Sequence, residues 1–168
     1  MENVNTGELT AFEQAVMANL QNEGTVLDES YPTSERAMAE AIKVSLQVSD
    51  EIKKDAFFCD DIEVITKPDG TPVSVIDQNT EKILKAHFNR VLPSINVVGE
   101  ELKGEMDPEG DNVAIDPIDG TFDYLTGFPN YTIVNTGFKK LAPEWATVFE
   151  PGTGILTYAI GDQPTRRL

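Results

Sequence analysis

The segment Asp116-Pro117-Ile118-Asp119-Gly120-Thr121 is the most informative stretch of this sequence. Pro117 lacks an N–H and pushes the residue before it out of the helical region, so Asp116 is predicted at the end of a kinked strand. Gly120 lets the backbone approach a ligand closely, and a helix beginning at about Thr121 would turn its free N–H groups towards an anion. The two carboxylates of the segment and the carbonyl between them are oxygen ligands of the type that Mg²⁺ prefers.

Further acidic residues occur where other elements of the chain begin or end. Gly99-Glu100-Glu101 ends a second predicted strand. If this strand lies beside the first, Glu100 lies next to Asp116 and Asp119, and such a net-negative cluster needs cations to hold its charge. Asp77 opens a predicted helix. Taken singly, these features are typical of turns and helix caps, but their occurrence together and in order favours a functional site.

The hydrophobic pattern around these residues predicts an α+β fold. Helical spacing of apolar residues indicates helices over residues 8–22, 33–57 and 77–92, with Asp77 as the cap of the third and Pro93 after its end. Alternation indicates a hairpin over residues 62–75 and strands over 96–101, 113–116, 131–138, 145–149 and 155–160, with Pro117 stopping the strand before it. Helices packed on one face of a largely antiparallel sheet fit this order.

Two single residues receive structural assignments. Cys59 is the only cysteine and has no partner for a disulfide or a zinc site, so it is predicted to be a small buried hydrophobe. His87 lies among Lys85, Phe88 and Asn89 on a predicted helix and is interpreted as a surface residue.

The charge of the chain excludes several classes of partner. With 13 Lys+Arg against 29 Asp+Glu, the formal net charge is −16, which repels nucleic acid and anionic membrane surfaces. The sequence at Met1 shows no basic segment followed by an apolar one, and no stretch approaches the apolar length of a membrane span. We therefore expect a cytoplasmic protein with neither nucleic acid nor membrane as a partner.

The motifs resemble those of the inositol monophosphatase family, whose relatives include fructose bisphosphatases, bisphosphate nucleotidases and bacterial histidinol phosphatases. Lys67 with Asp77, then Gly99-Glu100-Glu101, then the segment 116–121 match successive family motifs, from about residue 33 onwards. The resemblance implies a layered α/β sandwich of the sugar-phosphatase type and a Mg²⁺-dependent phosphomonoesterase. It also implies a homodimer as a common assembly.

The resemblance further implies a role for each motif residue. Glu100, Asp116 and the Ile118 carbonyl resemble the ligands of a first metal ion, and Asp116 and Asp119 those of a second. Thr121, oriented by Asp77, resembles the hydroxyl that positions the nucleophilic water together with Glu100. The substrate-contacting positions are Asp119, Gly120 and Thr121, of which the last two offer N–H groups to the phosphate. Lys67 either attracts the phosphate or a further metal ion, or is an ordinary surface lysine.

The chain departs from the family pattern near its end. Family members normally continue into a C-terminal α/β half that supplies another carboxylate in a Trp-Asp motif, whereas the only tryptophan here, Trp145, is followed by Ala146. We therefore expect a fragment of a larger enzyme, with residues 1–32 as an N-terminal extension carrying a short helix and residues 33–168 as the N-terminal α+β domain. We expect this chain by itself to show little or no phosphatase activity, because one metal ion would lack a ligand and few residues would hold the alcohol part of the substrate.

The leading functional hypothesis is a phosphatase of a small phosphorylated alcohol, with an inositol monophosphate-like compound or a sugar phosphate as substrate. A 3′-phosphorylated nucleotide or histidinol phosphate is the alternative within the family. From another class comes an inactive metal-binding or interaction remnant. A calcium-binding structural domain is disfavoured because the EF-hand ligand pattern does not occur.

Overall fold

The computed structural model describes residues 9–21, 24–56, 64–68, 70 and 72–168. The helices are α1 (Ala11–Asn19), α2 (Thr33–Ala56), α3 (Val75–Val91) and α4 (Thr121–Leu125). The strands are β1 (Val64–Thr66), β2 (Pro72–Ser74), β3 (Asn96–Gly99), β4 (Asp111–Asp119), β5 (Thr132–Lys139), β6 (Ala142–Glu150), β7 (Ile155–Ile160) and β8 (Arg166–Arg167). None of the helices in these ranges combines the length and the apolar character needed to cross a bilayer.

The strands form a small hairpin and one large sheet. β1 and β2 pair antiparallel, as the sequence predicts for the hairpin. The other six strands form a sheet of order β3-β4-β5-β6-β7-β8. β3 and β4 run parallel, and every later pair is antiparallel. The sheet is therefore a meander with one parallel strand added at its edge.

One face of the large sheet is buried under helices. Along β5 and β6 buried residues alternate with half-buried ones, because successive side chains of a strand point to opposite faces. α2 packs against β5 and β6, and α3 packs against β3 and β4. The core on this face includes Ile115, Ile133, Trp145, Phe149, Met38, Leu84 and Phe88. This arrangement confirms the predicted α+β fold with helices on one face of a mainly antiparallel sheet.

The start of α3 differs from the sequence prediction. The helix begins at Val75, and its N-cap is Ser74, whose side chain accepts a hydrogen bond from the Asp77 N–H. The Asp77 carboxylate accepts the Ser74 N–H in return at 2.8 Å, which completes a capping box. The prediction of Asp77 as the cap was wrong by one turn, because a serine stands three residues before it. Val75 consequently belongs to the helix and not to the hairpin.

Pro117 does not stop its strand, contrary to the sequence prediction. β4 continues to Asp119, and its pairing with β5 shifts between Asp116↔Val134 and Asp119↔Thr132. Three steps along β4 correspond to two along β5, so one extra residue is accommodated as a bulge. A proline is tolerated in a bulge because no ladder hydrogen bond is required of its nitrogen there.

His87 is buried, and its interpretation as a surface residue was wrong. Its Nε2 lies 2.8 Å from the Glu40 carboxylate on α2, and its Nδ1 lies 3.3 Å from an Arg90 guanidinium nitrogen. The arginine can only donate, so Nδ1 accepts and Nε2 carries the proton that is donated to Glu40. The partner on α2 is distant in sequence, which is why local polarity misleads here. Cys59 lies outside the described residues.

Helix α1 is tied to the last strands by a buried carboxylate. Glu13 accepts hydrogen bonds from Arg166 at 3.0 and 2.8 Å and from the Tyr158 hydroxyl at 2.7 Å. Burial alone favours the neutral acid, but the bonds from Arg166, Thr10 and Tyr158 outweigh it and lower the pKa of Glu13 to about 2. The division of the chain into residues 1–32 and 33–168 stays a prediction.

Replacing this carboxylate should cost stability in a pH-dependent way. We expect Glu13→Gln to lower the free energy of unfolding at neutral pH by about 3 kcal/mol, because Arg166 loses a buried charge partner. The wild-type advantage is fully present above the ordinary pKa of 4.5 and is lost as the pH falls towards the folded-state value of about 2. Urea denaturation of both proteins measures this difference, and a difference that does not shrink below pH 4.5 would contradict the assignment.

Candidate active site

The parallel pair β3 and β4 brings two acidic residues together at one edge of the sheet. Gly99 pairs with Ile115, and the Glu100 N–H donates to the Ile115 carbonyl at 3.1 Å. The carboxyl ends of parallel strands meet at the same edge, so Glu100 stands beside Asp116. The expectation that these two residues adjoin is thus met by the strand geometry.

Asp116 is the most perturbed carboxyl group of this edge. Burial raises its pKa most, and the charge of Glu100, a hydrogen bond with Glu100 and the charge of Asp119 raise it further. The Ile118 N–H, 3.2 Å from Asp116 Oδ1, opposes this only partly, so the pKa of Asp116 reaches about 8. A carboxyl group held neutral by burial and by its acidic neighbours would gain from a nearby cation.

A lysine ammonium supplies positive charge next to Glu100 and Glu101. Lys67 Nζ lies 2.8 Å from Glu100 Oε1 and 2.9 Å from Glu101 Oε1. Partial burial opposes the charged ammonium, but the bonds to both glutamates outweigh it and raise the pKa of Lys67. Burial raises the pKa of Glu101 despite this partner. Lys67 is therefore an integral part of the acidic cluster and not an isolated surface lysine.

A threonine hydroxyl and a buried aspartate form the other half of the site. Thr121 Oγ1 lies 3.0 Å from Asp77 Oδ1 and 3.0 Å from the Ile118 carbonyl oxygen, so two acceptors compete for its single proton. Asp77 is fully buried, and its second oxygen accepts from Ser74 in the capping box. The hydroxyl is thereby held in one place, and this is the contact that the family resemblance implies between Thr121 and Asp77.

Gly120 connects the bulged strand to α4 in a conformation that favours glycine. Its φ is 94°, in the left-handed region. A Cβ at this position would lie 2.8 Å from the Asn130 carbonyl oxygen, so a side chain would also collide with the next segment. Both constraints explain why glycine stands between Asp119 and Thr121.

Asp119 does not join Glu100 and Asp116 in a compact group. It is exposed, and its Oδ2 lies 3.5 Å from the Thr132 hydroxyl. Across residues 9–21, 24–56, 64–68, 70 and 72–168, no three side chains of His, Cys, Asp or Glu converge on a point where a metal ion could lie. The charge of Asp119 is nevertheless near enough to raise the pKa of Asp116.

The donors of this edge nevertheless fit a hard divalent cation. Glu100 and Asp116 offer carboxylate oxygens that repel each other, and the Ile118 carbonyl is close to Thr121 at the same bulge. Oxygen donors of this kind suit Mg²⁺. The roles assigned to these residues and to Asp119 stay predictions.

Sequence reasoning missed one acidic residue next to the site. Glu81 lies on α3, one turn after Asp77, and is fully buried. Its carboxylate accepts the N–H groups of Glu101 at 2.7 Å and Leu102 at 3.0 Å. The available signal was the four-residue spacing from Asp77, which places both carboxylates on one helix face.

The helices packed on one face of the mainly antiparallel sheet form an α+β sandwich. Together with Glu100 and Asp116 at the ends of the parallel pair β3 and β4, this fold is of the sugar-phosphatase type. A sequence profile of the inositol monophosphatase family matches residues 22–160. The chain belongs to the inositol monophosphatase family.

Comparison with individual proteins gives the same grouping. The chain is 40% identical over 86 residues to a histidinol-phosphatase of Streptomyces coelicolor, covering 51% of this chain and 32% of that protein. It is 31% identical over 87 residues to a fructose-1,6-bisphosphatase of Pyrococcus furiosus, covering 51% and 33%. The crystal structure of the extragenic suppressor protein suhB from Bartonella henselae superposes with a TM-score of 0.71 at 19% identity, covering 77% of this chain and 51% of that one. Each match thus spans from a third to a half of the relative's length.

The repulsion at Asp116 should be visible in the stability of the metal-free protein. A folded-state pKa of about 8 against an ordinary value of 3.8 means that Asp116 contributes stability at low pH that is lost as the pH rises between these values. We expect Asp116→Asn to be as stable as the wild type or more so at about pH 8 in EDTA, and to lose this relative advantage towards about pH 5. Urea denaturation at both pH values tests this, and a difference independent of pH would contradict it.

Proposed function

We propose that this protein is a Mg²⁺-dependent phosphomonoester hydrolase of a small phosphorylated alcohol. The single observation that supports it best is the hydrogen bond between Thr121 and the buried Asp77, beside the strand edge that carries Glu100 and Asp116. Such a site offers a fixed hydroxyl next to carboxylates that attract cations. Membership of the inositol monophosphatase family supports the same chemistry.

Each residue has a defined part in the proposed reaction. Glu100, Asp116 and the Ile118 carbonyl would hold one metal ion, and Asp116 and Asp119 would hold another. A Mg²⁺ ion held by these residues would neutralise phosphate charge, lower the pKa of bound water and stabilise the leaving oxygen.

The protein's own groups orient the reactants. Thr121, whose proton is donated to Asp77 or to the Ile118 carbonyl, accepts a hydrogen bond from the attacking water, and Glu100 takes the proton that the water releases. The N–H groups of Gly120 and Thr121 bind phosphate oxygens, and Asp119 contacts the substrate from the exposed side. The water oxygen forms a new bond to phosphorus as the ester P–O bond breaks, and the leaving alkoxide takes up, by way of solvent, the proton that Glu100 accepted.

For the substrate, we propose an inositol monophosphate-like compound or a sugar phosphate. Histidinol phosphate is the second candidate, because the match to the Streptomyces coelicolor protein is 40% identical and that protein is named a histidinol-phosphatase. Both are small alcohols esterified with one phosphate, so the proposed reaction is the same for either.

Phosphate release is the direct test of the proposal. It is measured with and without Mg²⁺ on inositol, sugar, histidinol and nucleotide phosphates, for the 168-residue chain and for the product of its complete reading frame. For the product of the complete reading frame, we expect Mg²⁺-dependent phosphate release. The rate should fall at least about 100-fold in Thr121→Val, because the water loses its positioning hydroxyl.

A matched variant controls for the loss of a hydroxyl in general. Thr157 lies on β7, three strands from β4 in the sheet, so Thr157→Val should leave the rate unchanged. Equal rates for Thr121→Val and Thr157→Val, or release that persists in EDTA, would count against the proposed mechanism.

Mg²⁺ should also stabilise the folded protein. An ion that binds only the native state adds roughly 1.4 kcal/mol to the free energy of unfolding when its concentration is ten times its Kd. For a domain of this size, that increase raises the Tm by about 3 °C. We expect this rise for the wild type and little or none for Asp116→Asn, measured by thermal denaturation. A wild-type Tm that does not change over millimolar Mg²⁺ would contradict the metal site.

A further inference from the structure

A buried carboxylate supports the turn that carries Glu100. Glu81 accepts the Glu101 N–H at 2.7 Å and the Leu102 N–H at 3.0 Å, and Lys85 lies 3.1 Å from its Oε1. The side chain of Glu81 is fully buried, and a buried anion is stable only when it is hydrogen-bonded and paired, as it is here. We call these two main-chain bonds to Glu81 the turn clamp.

The turn clamp fixes the main chain directly after Glu100. The Glu100 N–H is bound to the Ile115 carbonyl of β4, which is the last bond of the parallel ladder. The next two N–H groups are bound to Glu81. The backbone of Glu100 is thus held on one side by the sheet and on the other by α3.

Gly99 is required by the same contact. A Cβ at this position would overlap the carboxylate of Glu81, so only glycine lets that carboxylate reach the turn. The φ of Gly99 does not lie in the left-handed region, and the need for glycine is therefore steric and not conformational.

One face of α3 supports both halves of the site. Asp77 and Glu81 are four residues apart, so their side chains project from neighbouring turns of the same face. Asp77 binds the Thr121 hydroxyl, and Glu81 binds the turn after β3. The spacing between the two functional groups is therefore set by one rigid helix.

We propose that Glu81 is a positioning residue that sets the place of Glu100 for Mg²⁺ binding. The inference rests on the proposed function, in which Glu100 is a metal ligand. Partners that hold a metal ligand in place typically change metal affinity 10- to 100-fold when they are removed, since the ligand is then free to adopt other positions.

Mg²⁺ affinity of the folded protein is the deciding measurement. In Glu81→Gln the side chain keeps one acceptor oxygen and turns an NH₂ towards the second N–H, so one bond of the turn clamp is lost. We expect the Kd for Mg²⁺, measured by isothermal titration calorimetry, to rise about tenfold. Hydrogen exchange at the Glu101 and Leu102 amides should become faster in the same variant.

Two further variants separate positioning from general stability. Gly99→Ala displaces the Glu81 carboxylate without changing any charge, should weaken Mg²⁺ binding in the same direction, and decides the question if Glu81→Gln does not fold. Glu13→Gln removes another fully buried, hydrogen-bonded carboxylate, whose partners Tyr158 and Arg166 lie on β7 and β8 at the other end of the strand order. It should lower stability and leave the Kd unchanged.

The outcomes are distinguishable. Weaker binding by Glu81→Gln and Gly99→Ala, with Glu13→Gln equal to the wild type, supports the inference. Wild-type affinity in a folded Glu81 or Gly99 variant overturns it and leaves the proposed function intact. The same loss in Glu13→Gln also overturns it, because the effect is then one of stability. A wild-type protein that binds no Mg²⁺ overturns the proposed function and the inference with it.

Discussion

The parallel pairing of β3 with β4 is the constraint on which the candidate site depends. Its register, Gly99 opposite Ile115, places Glu100 one residue beyond the ladder and next to Asp116. A slip by one residue would turn every side chain of β3 to the other face of the sheet and separate the two carboxylates. The core beneath the sheet resists such a slip, because Ile115 and Val113 are buried on the face that α3 covers. Packing of the core therefore sets the electrostatics of the edge.

The acidic residues around this edge fall into two groups that differ in their partners. Asp77 and Glu81 are fully buried, and main-chain N–H groups and hydroxyls or an ammonium satisfy their oxygens. Asp116 accepts the Ile118 N–H and otherwise faces the charges of Glu100 and Asp119. Asp77 and Glu81 therefore stabilise the fold around the site, whereas the ionised form of Asp116 would be stabilised by a cation.

The patterns of neighbouring residues in the sequence predicted many of the strands and most of the residues of the candidate site. Alternating residues indicated β5 and β7 closely, and the run of motifs indicated which residues meet at the strand ends. Features that depend on distant partners were missed. His87 is buried because α2 supplies Glu40, and β4 passes Pro117 because a bulge removes the need for its N–H. The Asp77 cap was displaced because Ser74 forms the better capping box with it. Glu81 was missed because the main-chain N–H groups that it accepts belong to a turn about 20 residues further along the chain, and its four-residue spacing from Asp77 was the only signal of its place.

The bond between Glu13 and Arg166 joins residues that are 153 positions apart in the chain. Closing so long a loop costs entropy before the contact stabilises anything, so contacts of this kind form after the local hairpins and helices. An interaction that is absent from the transition state slows unfolding and leaves the folding rate nearly unchanged. We therefore expect the contact between α1 and β8 to slow unfolding more than it speeds folding, so that it chiefly lengthens the lifetime of the native state.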